Sequence, residues 1–157
     1  MNNRELENKI KDREKVFISL KEKYETERHN IMCSFSTPTV SYYVINLKEH
    51  KKMCKIISEM AISDLKKYRS INNINANLQD LEYDIIDNVN LNLILVYKHS
   101  NSIYKQVLKD YDINIDEYKQ LIKIESCVQV TDRLIEANNK LKKRIGYKQN
   151  KIIEQEK

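Results

Sequence analysis

The chain has 157 residues, with 28 Lys/Arg against 23 Asp/Glu, and only one Gly and one Pro. Charged residues make up 32% and apolar residues 41%, a Lys-, Glu-, Leu- and Ile-rich mixture that suits long helices. With Gly146 and Pro38 as its only strong breakers, the sequence cannot punctuate a multi-stranded sheet or build a Gly-rich phosphate loop.

The charged start, "MNNRELENKI", has no apolar h-region, so no secretory signal is expected. Residues 4–32 carry Leu6, Ile10, Phe17, Leu20, Tyr24 and Ile31, a heptad-like stripe that predicts a helix. It ends near "CSFSTPTV", where Thr37 can cap a new helix with Pro38 at its first position. The stripe then resumes through Leu47, Cys54, Ile57, Ala61, Leu65, Tyr68, Ile71, Ile74, Leu78, Leu81, Ile85, Val89, Leu93 and Val96. This predicts one very long helix, or two nearly collinear ones with a soft joint at "INNINAN" (71–77), where Asn lowers helix propensity. The abundance of Asn is read as compositional bias, so single asparagines carry little weight. The expected fold is all-α: a long antiparallel helical hairpin turning near 33–40, with two or three shorter helices packing back on it. Leu20, Tyr24, Leu47, Ile57, Leu81 and Ile85 are its core candidates.

A break at "KHSNS" (98–102) is followed by a short apolar pattern, Ile103, Val107, Leu108 and Tyr111, and then by "KDYDINIDEY" (109–118). Oxygen-bearing side chains alternate there, as at the start of a calcium loop. Counting from Asp110, the sixth residue is Ile115 and the twelfth is Leu121, where an EF-hand needs Gly and Glu. The stretch reads instead as a linker at 110–115. Asn114 caps a helix that begins at Ile115, and Asp116 and Glu117 lie in its first turn, where the helix dipole favours acids. That helix carries Tyr118, Leu121, Ile122, Val128, Leu134, Ile135 and Leu141. Residues 1–145 are expected to form one domain, and the polar tail 146–157 is expected to fray.

Charge is uneven. Residues 33–74 hold seven Lys/Arg against three acids, residues 75–125 five against nine, and residues 126–157 eight against four. Within the first zone, Lys48, Lys51, Lys52 and Lys55 share one helix face. Lys66 follows Lys48, and Arg69 follows Lys51, by five full turns, about 27 Å along an unbroken helix. With Lys67 they form a candidate face for an anionic membrane, which attracts each basic residue by about 1 kcal/mol.

Catalysis finds little footing. His29, His50 and His99 lie in unrelated segments. His50 and Cys54 share a face at i, i+4, but no second pair completes a zinc site, so a solvated His beside a partly buried Cys is expected. The acids Asp80, Glu82, Asp84 and Asp87 read as a solvated face. Cys33, Cys54 and Cys127 have neither metal nor disulfide spacing, which suits a reducing compartment. No enzyme, cofactor or metal is expected. Tyr24, Tyr43, Tyr68, Tyr111 and Tyr118 fall on or near the apolar stripes and are assigned to packing rather than to base stacking.

One family resemblance emerges from the middle of the chain. Leu81-Glu82, Asn90-Leu91-Asn92-Leu93, Leu108-Lys109 and Ile115-Asp116, followed by Tyr118, Leu121 and Ile122, resemble the third-helix region and following helix of the ESCRT-III family, the charged multivesicular body proteins. "INLKEHKKMCKII" (45–57) resembles that family's segment early in its second helix. The resemblance covers roughly residues 15–140. It implies a subunit that polymerises with itself or with related helical subunits, peripheral on the cytosolic face of endosomal membranes, for sorting and membrane remodelling. It also implies a sorting AAA ATPase as partner, although the acidic C-terminal part that carries the ATPase motif is not visible here. The alternatives are a coiled-coil adaptor in a larger complex, or a basic helical protein that binds RNA or a ribosome.

Overall fold

A computed structural model describes residues 2–35, 38–68, 74–75 and 77–156, with side chains over the same ranges except at 38, 101 and 146–156. Thr37, Arg69 and the 71–73 part of the expected soft joint lie outside the described residues. Among the described residues six helices follow in order: α1 (Asn3–Ser34), α2 (Pro38–Ile45), α3 (Lys48–Lys67), α4 (Leu78–His99), α5 (Asn101–Tyr111) and α6 (Ile115–Glu156). The fold is all-α, with a long antiparallel helical pair and shorter helices packed against it.

The long pair is α1 with α6. Arg28 meets Glu125 at 2.8 Å, Lys21 meets Asp132 at 2.7 Å, and Glu14 meets Lys142 at 2.6 Å. Partner numbers rise on α6 as they fall on α1, so the two run antiparallel. The link between α1 and α2 at residues 36–37 lies outside the described residues, and the chain beyond Pro38 is not one long helix. It bends at Asn46–Leu47, between α2 and α3, and folds back after Tyr68. Asn92 of α4 donates to Asp64 of α3 at 2.9 Å. On a continuous helix those residues would stand about 42 Å apart. A ten-residue connection with weak helix formers lets α4 reverse and bury its stripe on α3.

Burial explains the arrangement. In α1 the buried residues are Ile10, Phe17, Leu20 and Tyr24, a narrow seam that needs one partner. In α6, Leu121, Ile122, Ile124, Ser126, Cys127, Val128, Val130, Thr131 and Leu134 are all buried. A helix covered on most sides sits at the centre of a bundle, and α1, α3 and α4 supply the cover. The two buried hydroxyls are satisfied inside α6: Ser126 donates to the Ile122 carbonyl at 2.7 Å and Thr131 to the Val128 carbonyl at 2.8 Å.

Of the core candidates, Leu20, Tyr24, Ile57, Leu81 and Ile85 are buried. Leu47 is half-buried, because it occupies the bend ahead of α3 rather than a helix face. Tyr118 and Tyr24 are buried and Tyr111 is half-buried, whereas Tyr43 and Tyr68 point to solvent at 58% and 69% exposure. Tyr43 sits on the short α2 and Tyr68 at the C-cap of α3, where the helix ends.

Both linkers form where the sequence places them. Ser100 separates α4 from α5. Asp112 takes the left-handed conformation (φ 49°) that ends α5, a conformation Asp tolerates better than most residues. Asn114 Oδ1 accepts from the Asp116 amide at 2.8 Å, so it caps α6 as expected. Asn2 and Asn77 cap α1 and α4 in the same way, each accepting from an amide three residues on at 2.8 Å. The tail departs from expectation: the α6 backbone runs on through Gly146 to Glu156.

Candidate anion-binding surface

Helix α3 is sharply two-faced. His50, Met53, Cys54, Ile57, Ser58, Ala61 and Leu65 are buried. Lys48, Lys51, Lys52, Lys55, Lys66 and Lys67 are all exposed. The six membrane candidates among the described residues therefore lie outside the bundle, as the i, i+3, i+4 and i+7 spacing requires.

Pairing distinguishes these lysines from five bases elsewhere. Lys21, Lys23, Arg28, Arg133 and Lys142 each meet a carboxylate on another helix: Asp132, Glu82, Glu125, Glu59 and Glu14 respectively. Among the described residues, none of the six α3 lysines is paired with a carboxylate. The paired bases hold helices together. The α3 lysines contribute charge that no neighbour neutralises.

Behind the lysine face, α3 joins α6 through a buried polar chain. His50 Nδ1 lies 3.3 Å from the Tyr118 hydroxyl, and its Nε2 lies 3.6 Å from Cys54 Sγ. Cys54 Sγ lies 3.9 Å from the Ile122 carbonyl. One neutral tautomer completes the chain: Tyr118 donates to Nδ1, Nε2–H donates to sulfur, and the thiol donates to the carbonyl. His50 is 0% exposed, which corrects the expectation of a solvated imidazole. The α2–α3 bend puts it over Tyr118 instead. Burial lowers its pKa to about 4 and pushes the Cys54 thiol and the Tyr118 phenol well above their usual values. All three are held neutral. That suits a structural clamp, and it leaves no thiolate for nucleophilic chemistry.

The clamp extends into aromatic packing. Tyr104 of α5 meets Tyr118 edge-on with centroids 5.4 Å apart, and meets Tyr97 of α4 at 4.6 Å. Lys119 Nζ lies 4.1 Å from the Tyr97 ring centroid. The rings fasten the short α5 to α4 and α6.

Asp80, Glu82, Asp84 and Asp87 spread along α4, and Glu82 is taken up by Lys23. Among the described residues no group of three or more His, Cys, Asp or Glu is placed to hold a metal, and no described helix is long and apolar enough to cross a membrane. Two buried amide side chains escaped the sequence reading. Asn92 bonds Asp64, and Asn138 donates to the Ile10 carbonyl of α1 at 3.2 Å. Comparison with known protein families, characterised proteins and solved structures finds no match for this chain.

Proposed function

We propose that this protein is a non-enzymatic helical scaffold that docks on an anionic membrane through the outer face of α3 and assembles laterally with copies of itself or with related helical subunits. Its finer form is the ESCRT-III-like reading: a filament subunit, peripheral on the cytosolic side of endosomal membranes. The supporting observation is the set of four exposed lysines, Lys48, Lys51, Lys52 and Lys55, that share one face of α3 and have no carboxylate partner among the described residues. Several such residues acting together hold a protein to an anionic leaflet without a lipid anchor. Lateral assembly draws support from α4, whose outer face exposes Tyr83, Leu91, Ile94 and Leu95 at 72%, 54%, 59% and 41%. Apolar side chains clustered on one exposed face suit a protein–protein contact.

Co-sedimentation with phosphatidylserine-containing liposomes tests the docking. Binding is expected at low salt, weakening as salt is raised, and lost when Lys48, Lys51, Lys52 and Lys55 are all changed to Glu. Negative-stain microscopy on the same liposomes tests the assembly, with spirals or coated tubules expected. A wild-type protein that ignores anionic liposomes but shifts on RNA would replace the membrane with nucleic acid as the anionic partner. Discrete particles in every condition would favour the adaptor.

A further inference from the structure

A cleft of about 500 Å³ opens where α1, α3 and α6 meet beside Ile74. Five of its lining residues are cations: Arg13, Lys66, Arg133, Lys140 and Arg144. The single lining carboxylate, Glu136, is held by Lys140 at 3.6 Å. Arg133 reaches out of the cleft to Glu59 at 3.4 Å. Arg13, Lys66 and Arg144 have no carboxylate partner among the described residues.

Arg13 is the informative member. Its guanidinium stacks on Phe17, 5.0 Å from the ring centroid, and its Nε is buried with no hydrogen-bond partner. Burying a cation and one of its donors without a counter-charge costs free energy, and the ring contact offsets only part of it. The ring contact and the burial of Nε restrict the guanidinium, and a restricted fork suits bidentate donation to the oxygens of a planar or tetrahedral anion. Lys66 and Arg144 approach from the other two helices, so positive charge surrounds the cleft on three sides. The volume falls in the range of sites for small ligands.

We propose that this cleft binds a compact polyphosphate, a small ligand carrying two or more phosphate groups, taken either free from solution or as the headgroup of a phospholipid. The site is separate from the Lys48–Lys55 face. It does not rest on the membrane reading, since a free polyphosphate would bind with no membrane present.

Titration calorimetry of the full chain with inorganic tripolyphosphate and with inositol hexakisphosphate tests it. Saturable one-to-one binding is expected, with a rise in the thermal midpoint because the ligand binds the folded state. Lys66→Glu with Arg144→Glu should weaken binding by at least about tenfold, the loss expected from removing charge-assisted hydrogen bonds. Both positions are exposed, so folding is retained, and circular dichroism checks this. Arg13→Lys, which keeps charge but removes the fork, should also weaken binding, while the Lys48/51/52/55→Glu protein should bind polyphosphate as the wild type does. Vesicles holding a phosphoinositide or phosphatidylserine at matched charge distinguish the source. Preference for the phosphoinositide, competed away by its soluble headgroup, identifies a lipid ligand. Tight solution binding with no vesicle preference identifies a free one. Binding no stronger than that of sulfate at equal ionic strength, or binding untouched by the Lys66/Arg144 pair, overturns the proposal.

Discussion

Lowering the pH should unfold this protein through His50. The imidazole is fully buried, its two nitrogens face Tyr118 and Cys54, and its folded-state pKa sits near 4 against an ordinary 6.5. The unfolded chain therefore takes up a proton that the folded chain refuses, so stability falls as pH drops. The loss begins near pH 6.5 and is complete below about pH 4. It amounts to about 3 kcal/mol over the whole window, and about 2 kcal/mol between pH 7 and pH 5, at 1.36 kcal/mol per unit of pKa difference. The groups facing the ring, Tyr118 and Cys54, hold their protons throughout this range, and no carboxylate stands against it. Urea denaturation at pH 7, 6 and 5 measures the slope, with His50→Gln as reference. The variant keeps an amide donor and acceptor but cannot titrate. It should be less stable at pH 7, where it loses the clamp, yet show a shallower decline. Parallel curves for the two proteins would mean that His50 gains access to a proton without unfolding, and the buried chain from Tyr118 to Ile122 would be wrong.

Two further outcomes are expected. Calcium up to millimolar concentration should leave the thermal midpoint unmoved, because the Asp110–Asp116 stretch serves a helix cap; Asn114→Ala, which removes that cap, should cost about 1 kcal/mol, and a calcium-dependent rise would refute the capping role. Ile57→Ala and Ile85→Ala should each cost about 2–5 kcal/mol in chemical denaturation, while Leu47→Ala should cost clearly less because that side chain is half-buried; equal costs would place Leu47 in the core after all.

Periodicity made the faces legible but not their partners. The stripe on residues 4–32 marks the seam that α1 buries, and the α6 stripe marks five of the twelve side chains that helix buries among the described residues. Neither states that the two meet. A usable signal was present in the charges. Lys21 and Arg28 are seven residues apart, as are Glu125 and Asp132, and the two sets pair in antiparallel order. Complementary charges flanking two apolar seams at one spacing set partner and direction. The 38–97 stripe misled for a related reason. Steps of three, four and seven survive a break if the next helix resumes in phase, so the pattern cannot distinguish a continuous helix from one that reverses. Length and loop chemistry decide that, and the asparagines near 72–77 carried the information. Discounting Asn as compositional bias hid the caps at Asn2 and Asn77 and the buried amides of Asn92 and Asn138. Asn77 stands immediately before an apolar-periodic run with Asp80 three residues on, a recognisable helix-start arrangement. His50 was missed because its burial depends on a bend that no breaker residue announces.

The net charge of +5 is divided by structure into two populations with different consequences. Five bases on α1 and α6, Lys21, Lys23, Arg28, Arg133 and Lys142, are spent on carboxylates of other helices. Arg28 and Glu125 keep only 29% and 18% of their side-chain surface exposed, so breaking that pair strands a half-desolvated charge, whereas breaking the more open Lys21–Asp132 pair costs at most about 1 kcal/mol. Bases on α3 are paired with nothing and repel one another along a single face. Replacing them with Glu exchanges one set of like charges for another and touches no core contact, so the Lys48/51/52/55→Glu protein should melt close to the wild type. The same separation makes the liposome experiment interpretable, since lost binding in a protein of unchanged stability can be assigned to the surface rather than to the fold. It also isolates Lys66, the one α3 lysine that both continues the outward face and lines the cleft. Lys66→Glu alone should reduce membrane binding slightly, as one charge among several, but reduce polyphosphate binding strongly, as one of three unpaired cations around a small ligand.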